Sequence, residues 1–266
     1  MAEFSLLSLN TFGLPLFLGL GRLRRLTRQL DDFQSAVLCF QEIQQNTYVS
    51  FLNRWLPAHP HHAFEPNFFA PKGGLFTAAR LPLRESYFVP YENRGRWLSV
   101  GIADWALNKG VLVSQLEVEG QRIVVMNTHL HANYGGRWHP ENPTSRIQLD
   151  QVLHLAAMVQ EQPTDALVLV CGDFNFPRDS FLYDELLSTS ELLDPLAQDP
   201  RPTYRPFPLM NKEKFAQPID FVLMRKPSER TIDIQADIVE IQDASRAFAP
   251  QRFLTDHNAL TLKIRW

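Results

Sequence analysis

The feature that most constrains the fold is an apolar run that stops in an acid and an amide: Leu169-Val170-Cys171-Gly172-Asp173-Phe174-Asn175-Phe176. Residues 166–170 read as a buried strand, so Gly172 to Asn175 fall where that strand leaves its sheet. Strand side chains alternate between faces. Extended geometry therefore sets Asp173 and Asn175 on one side and turns Phe174 into the core. Taken alone, the segment is equally a turn, because Asp and Asn side chains bond nearby backbone.

The same pattern recurs along the chain. Residues 4–9 read as a strand ending at Asn10, and 36–40 as a strand ending in Gln41-Glu42. Residues 122–128 lead into Asn127-Thr128-His129-Leu130-His131, strand 219–224 carries Asp220, and Asp256-His257 precedes a last strand at 259–264. Other strands are expected at 74–78, 83–89, 97–104, 110–118 and 232–241. Helices are expected at 22–30, 49–56, 145–160 and 181–187, the third capped by Thr144 or Ser145. In the first helix, Leu23, Leu26 and Leu30 make a buried stripe, and Arg22, Arg24, Arg25 and Arg28 a solvated face. Asn10, Glu42, His129, Asp173, Asn175, Asp220, Asp256 and His257 all stand at strand ends, too many to be turn formers alone. The expectation is two packed sheets with one rim that collects oxygens and imidazoles.

At 266 residues, without repeats or low-complexity tracts, the chain suits one domain over 1–266 with a sizeable core. Its 19 prolines cluster at 57–71, 140–143 and 200–218, which reads as stiff loops rather than an interdomain linker. A net charge of -3 with mixed signs offers no dedicated nucleic-acid face. Cys39 and Cys171 lie in apolar runs and read as buried free thiols. Residues 1–20 lack a basic leader and are interrupted by polar residues, Gly and Pro. Neither a signal peptide nor a spanning helix is read, which favours a cytoplasmic or peripheral-membrane protein. His59, His61 and His62 read as a polar loop, since no acid or Cys partner has ligand spacing nearby.

The runs SLNTFGLP (8–15), CFQEI (39–43), DWALNKGVL (104–112), NTHLHANY (127–134), CGDFN (171–175), PIDFVL (218–223) and LTDHNAL (254–260) carry a resemblance. The chain resembles the endonuclease/exonuclease/phosphatase superfamily, which shares the fold of pancreatic deoxyribonuclease, and most closely its neutral, magnesium-dependent sphingomyelinase branch. The resemblance implies an α/β (α+β) fold: a four-layer αββα sandwich of two packed, mostly antiparallel sheets flanked by helices, with the site at one rim. It implies that Glu42 is the metal carboxylate, with Asn10 and Asp256 close to the same ion. Hard oxygen ligands suit Mg²⁺, with Mn²⁺ as the alternative. His257 matches the general base and Asp220 the acid that orients it. Asp173 matches a residue that positions the nucleophile or handles the leaving-group proton, while Asn175 and His129 match donors to phosphoryl oxygens. His131 shares the face of His129 and is the weaker match. Two departures stand out: Pro218 where the family often has Arg, and Phe221 in place of Tyr.

The branch rests on Asp104-Trp105, Lys109-Gly110-Val111 and the HLHA run at 129–132. Trp105 and Lys109 are substrate-side candidates, although Lys109-Gly110 reads equally as a hairpin turn. The apolar loop 14–20 and the pair Phe68-Phe69 between prolines would dip into a lipid interface if exposed, and are ordinary core if folded under. The expected function is a monomeric metal-dependent phosphodiesterase acting on sphingomyelin or a related phospholipid head group. The alternative is a nuclease, or a phosphoinositide or small-molecule phosphatase, of the same superfamily. A non-catalytic binding module is the third reading, and it expects acids that this chain retains to have been lost.

Overall fold

The computed structural model describes residues 2–13, 19–93, 108–133, 135–205, 216–228, 230–243 and 254–266. Among them one sheet is built from β1 (Glu3–Asn10), β2 (Val37–Gln41), β3 (His61–Ala63), β4 (Phe76–Ala79), β10 (Asp233–Val239) and β11 (Ala259–Arg265). The other contains β5 (Glu85–Pro90), β6 (Gly110–Val118), β7 (Gln121–His129), β8 (Leu167–Asp173) and β9 (Asp220–Arg225). The strand orders are β10-β11-β1-β2-β4-β3 and β5-β6-β7-β8-β9. Each sheet holds one parallel pair, β1 with β2 and β7 with β8, while its other pairings are antiparallel. A parallel pair needs a crossover, and a helix supplies it in both cases: α1 (Gly19–Leu30) between β1 and β2, and α3 (Pro143–Gln160) between β7 and β8.

Period-two alternation divides the apolar residues into three layers. Phe4 and Leu6 of β1, Val37 and Cys39 of β2, Leu167, Leu169 and Cys171 of β8 and Val222 of β9 meet between the sheets. Leu7 and Leu9 of β1 turn the other way, onto Leu23 and Leu26 of α1 and Val49 and Leu52 of α2 (Asn46–Trp55). Val168 and Val170 of β8 face Val152 and Leu155 of α3 and Leu182 and Leu186 of α4 (Phe181–Ser190). The result is the helix–sheet–sheet–helix sandwich. Burying each Leu or Val in these layers contributes roughly 1.5–3 kcal/mol. Both cysteines are buried free thiols in the inter-sheet layer.

Several local expectations are corrected. Arg22 is not on a solvated face: it lies one and two turns before Leu26 and Leu30, on the buried stripe, and its guanidinium donates to the carbonyls of Thr11, Phe12 and Leu254. The cap of α3 is Asn142, whose Oδ1 accepts the Thr144 N–H at 2.9 Å, with Pro143 in the first turn. His61 and His62 belong to edge strand β3 rather than to a loop, and His59 is buried with Nε2 2.8 Å from the Ser35 carbonyl. The expected strand at 97–104, Trp105 and most of the apolar stretch 14–20 lie outside the described residues.

Candidate active site

The site is the polar end of the inter-sheet layer. Following alternation along β1, the inward series Phe4, Leu6, Ser8 ends at Asn10; along β7, Ile123, Val125, Asn127 ends at His129; along β8, Leu167, Leu169, Cys171 ends at Asp173. β9 enters the sheet at Asp220, which sits directly across from Asp173. A neutral polar layer separates this rim from the apolar core. Gln41 Nε2 donates to Asn127 Oδ1 at 2.7 Å and to Ser8 Oγ at 3.2 Å, and Asn127 Nδ2 donates to the Phe40 and Phe76 carbonyls at 3.1 and 3.2 Å. That network ties one sheet to the other beneath the site.

The ionisable groups above it converge. Asn10 Nδ2 donates to Asp173 Oδ2 at 2.9 Å and to Glu42 Oε1 at 3.2 Å, while its Oδ1 accepts the Phe12 N–H. Its nitrogen, not its oxygen, therefore faces the acids. His129 Nε2 lies 3.6 Å from Asp173 Oδ2. His257 Nδ1 lies 2.8 Å from Asp220 Oδ2, and its Nε2 is 3.8 Å from Asp173 Oδ2 and 3.9 Å from Asp256 Oδ1. Among the described residues, two sets of three have ligand atoms within 4.8 Å of one another: Glu42, His129 and Asp173; and Asp173, Asp220 and His257. Asp256 adjoins the second set.

Two residues of the rim hold left-handed backbone, Glu42 at φ 60° and Asn175 at φ 56°. Such conformations cost about 1–3 kcal/mol in a non-glycine residue and persist where the surroundings dictate them. At Asn175 the twist overturns the expected extension past Asp173. Its backbone N–H donates to Asp173 Oδ1 at 2.9 Å and its Nδ2 to the Leu130 carbonyl at 3.0 Å, so the amide braces the loop after β7. Phe174 turns into the core as expected, packing on Phe221 with ring centroids 4.9 Å apart. Phe221 is fully buried in that layer, with the Arg178 guanidinium 5.0 Å from its ring centroid.

Burial and charge set the protonation states. Burial, then Asp220, push Asp173 up to about 7 against the opposing pull of His257 and Lys109. Burial raises Asp256 to about 6, and Glu42 adds to it. Burial works against charge on His257, but Asp220, Asp256 and Asp173 outweigh it and hold the imidazolium well above the usual histidine range. Buried carboxylates that raise one another's affinity for protons are a field that a divalent cation would relieve, and oxygen donors suit Mg²⁺ or Mn²⁺. Glu42 is the residue placed to hold it, with Asp256 near enough to feel its charge.

Other expected and unexpected residues divide clearly. Lys109 is not a surface turn: it is 1% exposed, and its Nζ donates to the Leu130 carbonyl at 2.5 Å, the oxygen that also accepts Asn175. Phe68 and Phe69 stand outside the acid cluster, packed edge to face on each other. The sequence reading missed the segment Thr203–Tyr204–Arg205, which clips the dyad. Thr203 Oγ1 accepts the Asp220 N–H at 2.9 Å, the Thr203 carbonyl accepts the Asn258 N–H at 2.7 Å, and Arg205 N–H donates to the Asp256 carbonyl. The Tyr204 ring lies 5.1 Å from that of His257, and burial with Asp256, Asp173 and Glu42 holds its hydroxyl up to about 12, as a donor. Thr255 is also missed: its hydroxyl donates to the Asn10 carbonyl at 2.7 Å.

A model of the Endonuclease/Exonuclease/phosphatase family matches residues 7–257. The chain is 26% identical over 202 residues to the Drosophila melanogaster protein named "Putative neutral sphingomyelinase", covering 75% of this chain and 45% of that protein, so it spans under half the length of this curated relative. Sphingomyelinase C from Streptomyces griseocarneus superposes with a TM-score of 0.71 at 18% identity, covering 99% of both chains. D. rerio TDP2 complexed with single-strand DNA product superposes with a TM-score of 0.74 at 17% identity, again covering 99% of both. These likenesses establish a shared fold.

Proposed function

The chain belongs to the Endonuclease/Exonuclease/phosphatase family, and we propose that it is a divalent-metal-dependent phosphodiesterase that hydrolyses sphingomyelin or a related phospholipid. The observation that carries the chemistry is the His257–Asp220 pair, 2.8 Å apart, facing Asp173 across the rim. Asp220 fixes His257 through Nδ1 and leaves Nε2 turned toward the centre, the arrangement of a general base aimed at an attacking water. Neutralising Asp256 and Asp173 lowers the proton affinity of His257 and frees Nε2 to take the proton. Glu42 would hold the cation, which would supply charge neutralisation and polarisation of a phosphoryl oxygen. His129 and the Tyr204 hydroxyl stand as donors to the phosphoryl group as charge builds there. Asp173, titrating near neutrality, is the group able to carry a proton to the leaving oxygen. Water adds to phosphorus, the bond to the lipid alkoxide breaks, and the products are a phosphorylated head group and the lipid alcohol.

The lipid substrate is favoured by the neutral sphingomyelinase relative and by the chain's lack of net positive charge. The test is Mg²⁺-dependent release of phosphorylcholine from sphingomyelin, with His257→Ala and a chelator as controls. Turnover abolished in both controls is the expected result. Hydrolysis of DNA or a soluble phosphoester without lipid turnover replaces the substrate and keeps the chemistry. Inactivity on all of them overturns the enzyme reading.

A further inference from the structure

Phe68 and Phe69 are 83% and 78% exposed, far beyond the other large apolar side chains at the surface of the described residues, which reach at most 48%. Their rings meet edge to face, centroids 4.6 Å apart, so they protrude as one body. The loop beneath them is anchored. Ala70 and Pro71 are buried, Asn46 Nδ2 donates to the carbonyls of Asn67 and Phe68 at 2.9 and 3.0 Å, and Asn46 N–H donates to the Phe69 carbonyl. Nothing in that arrangement lets the rings fold under.

The anchor also fixes where they stand. Asn46 opens α2 four residues after Glu42, and the loop's return to β4 is held by the Ile43 N–H donating to the Gly74 carbonyl at 2.8 Å. The wedge is thus on the rim that carries the acids. Leu20, also exposed, opens α1 on the same edge, because Gly19 lies against Tyr48 in the first turn of α2.

We propose that the Phe68–Phe69 wedge is a docking device that inserts into a choline-phospholipid bilayer and holds the catalytic rim against it. The inference rests on the phospholipid reading above. A convex pair of rings needs a matching socket to bury itself in a folded protein, whereas the head-group boundary of a fluid bilayer yields to it. The net charge of -3 and the acidic rim fit a zwitterionic surface rather than an anionic one. Choline adds a cation for the ring faces.

The experiment compares wild type with the Phe68→Ser/Phe69→Ser double variant in sedimentation with sphingomyelin/phosphatidylcholine vesicles, and in turnover of those vesicles and of a short-chain sphingomyelin kept monomeric. The double variant is expected to bind vesicles on the order of 100-fold more weakly, about 10-fold for each ring. Vesicle turnover falls with binding, monomer turnover is retained, and wild-type binding barely responds to salt. Phe68→Trp/Phe69→Trp restores binding. Equal vesicle binding by wild type and the Ser variant overturns the proposal, as does a concentration-dependent dimer that the Ser variant abolishes. Wild type that binds vesicles through the wedge but hydrolyses neither lipid form upholds docking and overturns the substrate assignment alone.

Discussion

Replacing Gly172 by Ala tests how the two sheets present their catalytic ends. Gly172 holds φ 142° and pairs with Thr128 one position before Asp173 and His129 face each other. An ideal Cβ there would lie 1.8 Å from the Thr128 carbonyl oxygen and 2.9 Å from its carbon. Both are backbone atoms, so relief requires β7 and β8 to part. The positive φ costs about 1–2 kcal/mol, and a ladder hydrogen bond broken in a buried site adds about 1–3 kcal/mol. The sum is about 2–5 kcal/mol, less the few tenths to 1 kcal/mol gained by stiffening the unfolded chain. Gly120→Ala is the control: it shares a positive φ, 78°, but has nothing within 4 Å of its Cβ. Urea unfolding should therefore show a loss of about 1 kcal/mol at Gly120 and about 3 kcal/mol at Gly172, with turnover falling only in the latter. Equal losses at the two positions would refute the steric account.

Asn127→Leu takes the shorter of the Gln41 amide's bonds from the layer beneath the site and should cost about 1–3 kcal/mol in chemical denaturation, whereas Gln41→Leu/Asn127→Leu should cost less than the two single changes summed. Without a cation, stability should fall as pH rises from about 4 to about 7. Asp173 and Asp256, raised by burial to about 7 and about 6 from 3.8, keep protons in the folded state that the unfolded chain releases, and His257 acts in the same direction above 6.5. Asp256 and Asp173 both lose the proton they retain in the folded state between pH 5 and pH 8, so melting in EDTA at those two pH values should differ by several degrees, and Mg²⁺ should close most of the gap at pH 8. A melting temperature that rises with pH in EDTA would contradict the assigned protonation states.

The site was legible because its residues end, open or adjoin strands. Asn10, His129, Asp173 and Asp220 are the terminal members of inward-facing series that alternation exposes in one dimension. What escaped depends on closure in three dimensions. The Thr255 hydroxyl reaches the Asn10 carbonyl across 245 positions, and no local pattern announces it. Lys109 reads equally as a substrate-side residue and as a hairpin turn, because only the packed structure turns its Nζ inward onto Leu130. Asn175 leaves the extended path expected past Asp173, because Asp173 Oδ1 accepts its backbone N–H in an Asx-type bond that bends the chain. Arg22 was assigned to solvent by residue type, although its spacing to Leu26 and Leu30 already placed it on the buried stripe.

Topology explains why these ends meet at all. In an antiparallel pair, successive strands finish at opposite edges, so a chain of hairpins scatters its C-terminal residues between two rims. Here each sheet contains one helical crossover, and the strands on either side of it finish at the same edge. β1 and β2 thus deliver Asn10 and Glu42 together, and β7 and β8 deliver His129 and Asp173. The Asn10 bond to Asp173 then shows that the two edges face one another. Antiparallel neighbours reach this rim with their beginnings instead: β9 starts at Asp220, and His257 stands two residues before β11. The helix–strand alternation around the two parallel pairs is thus what gathers at one rim groups that lie as far apart in sequence as Asn10 and His257.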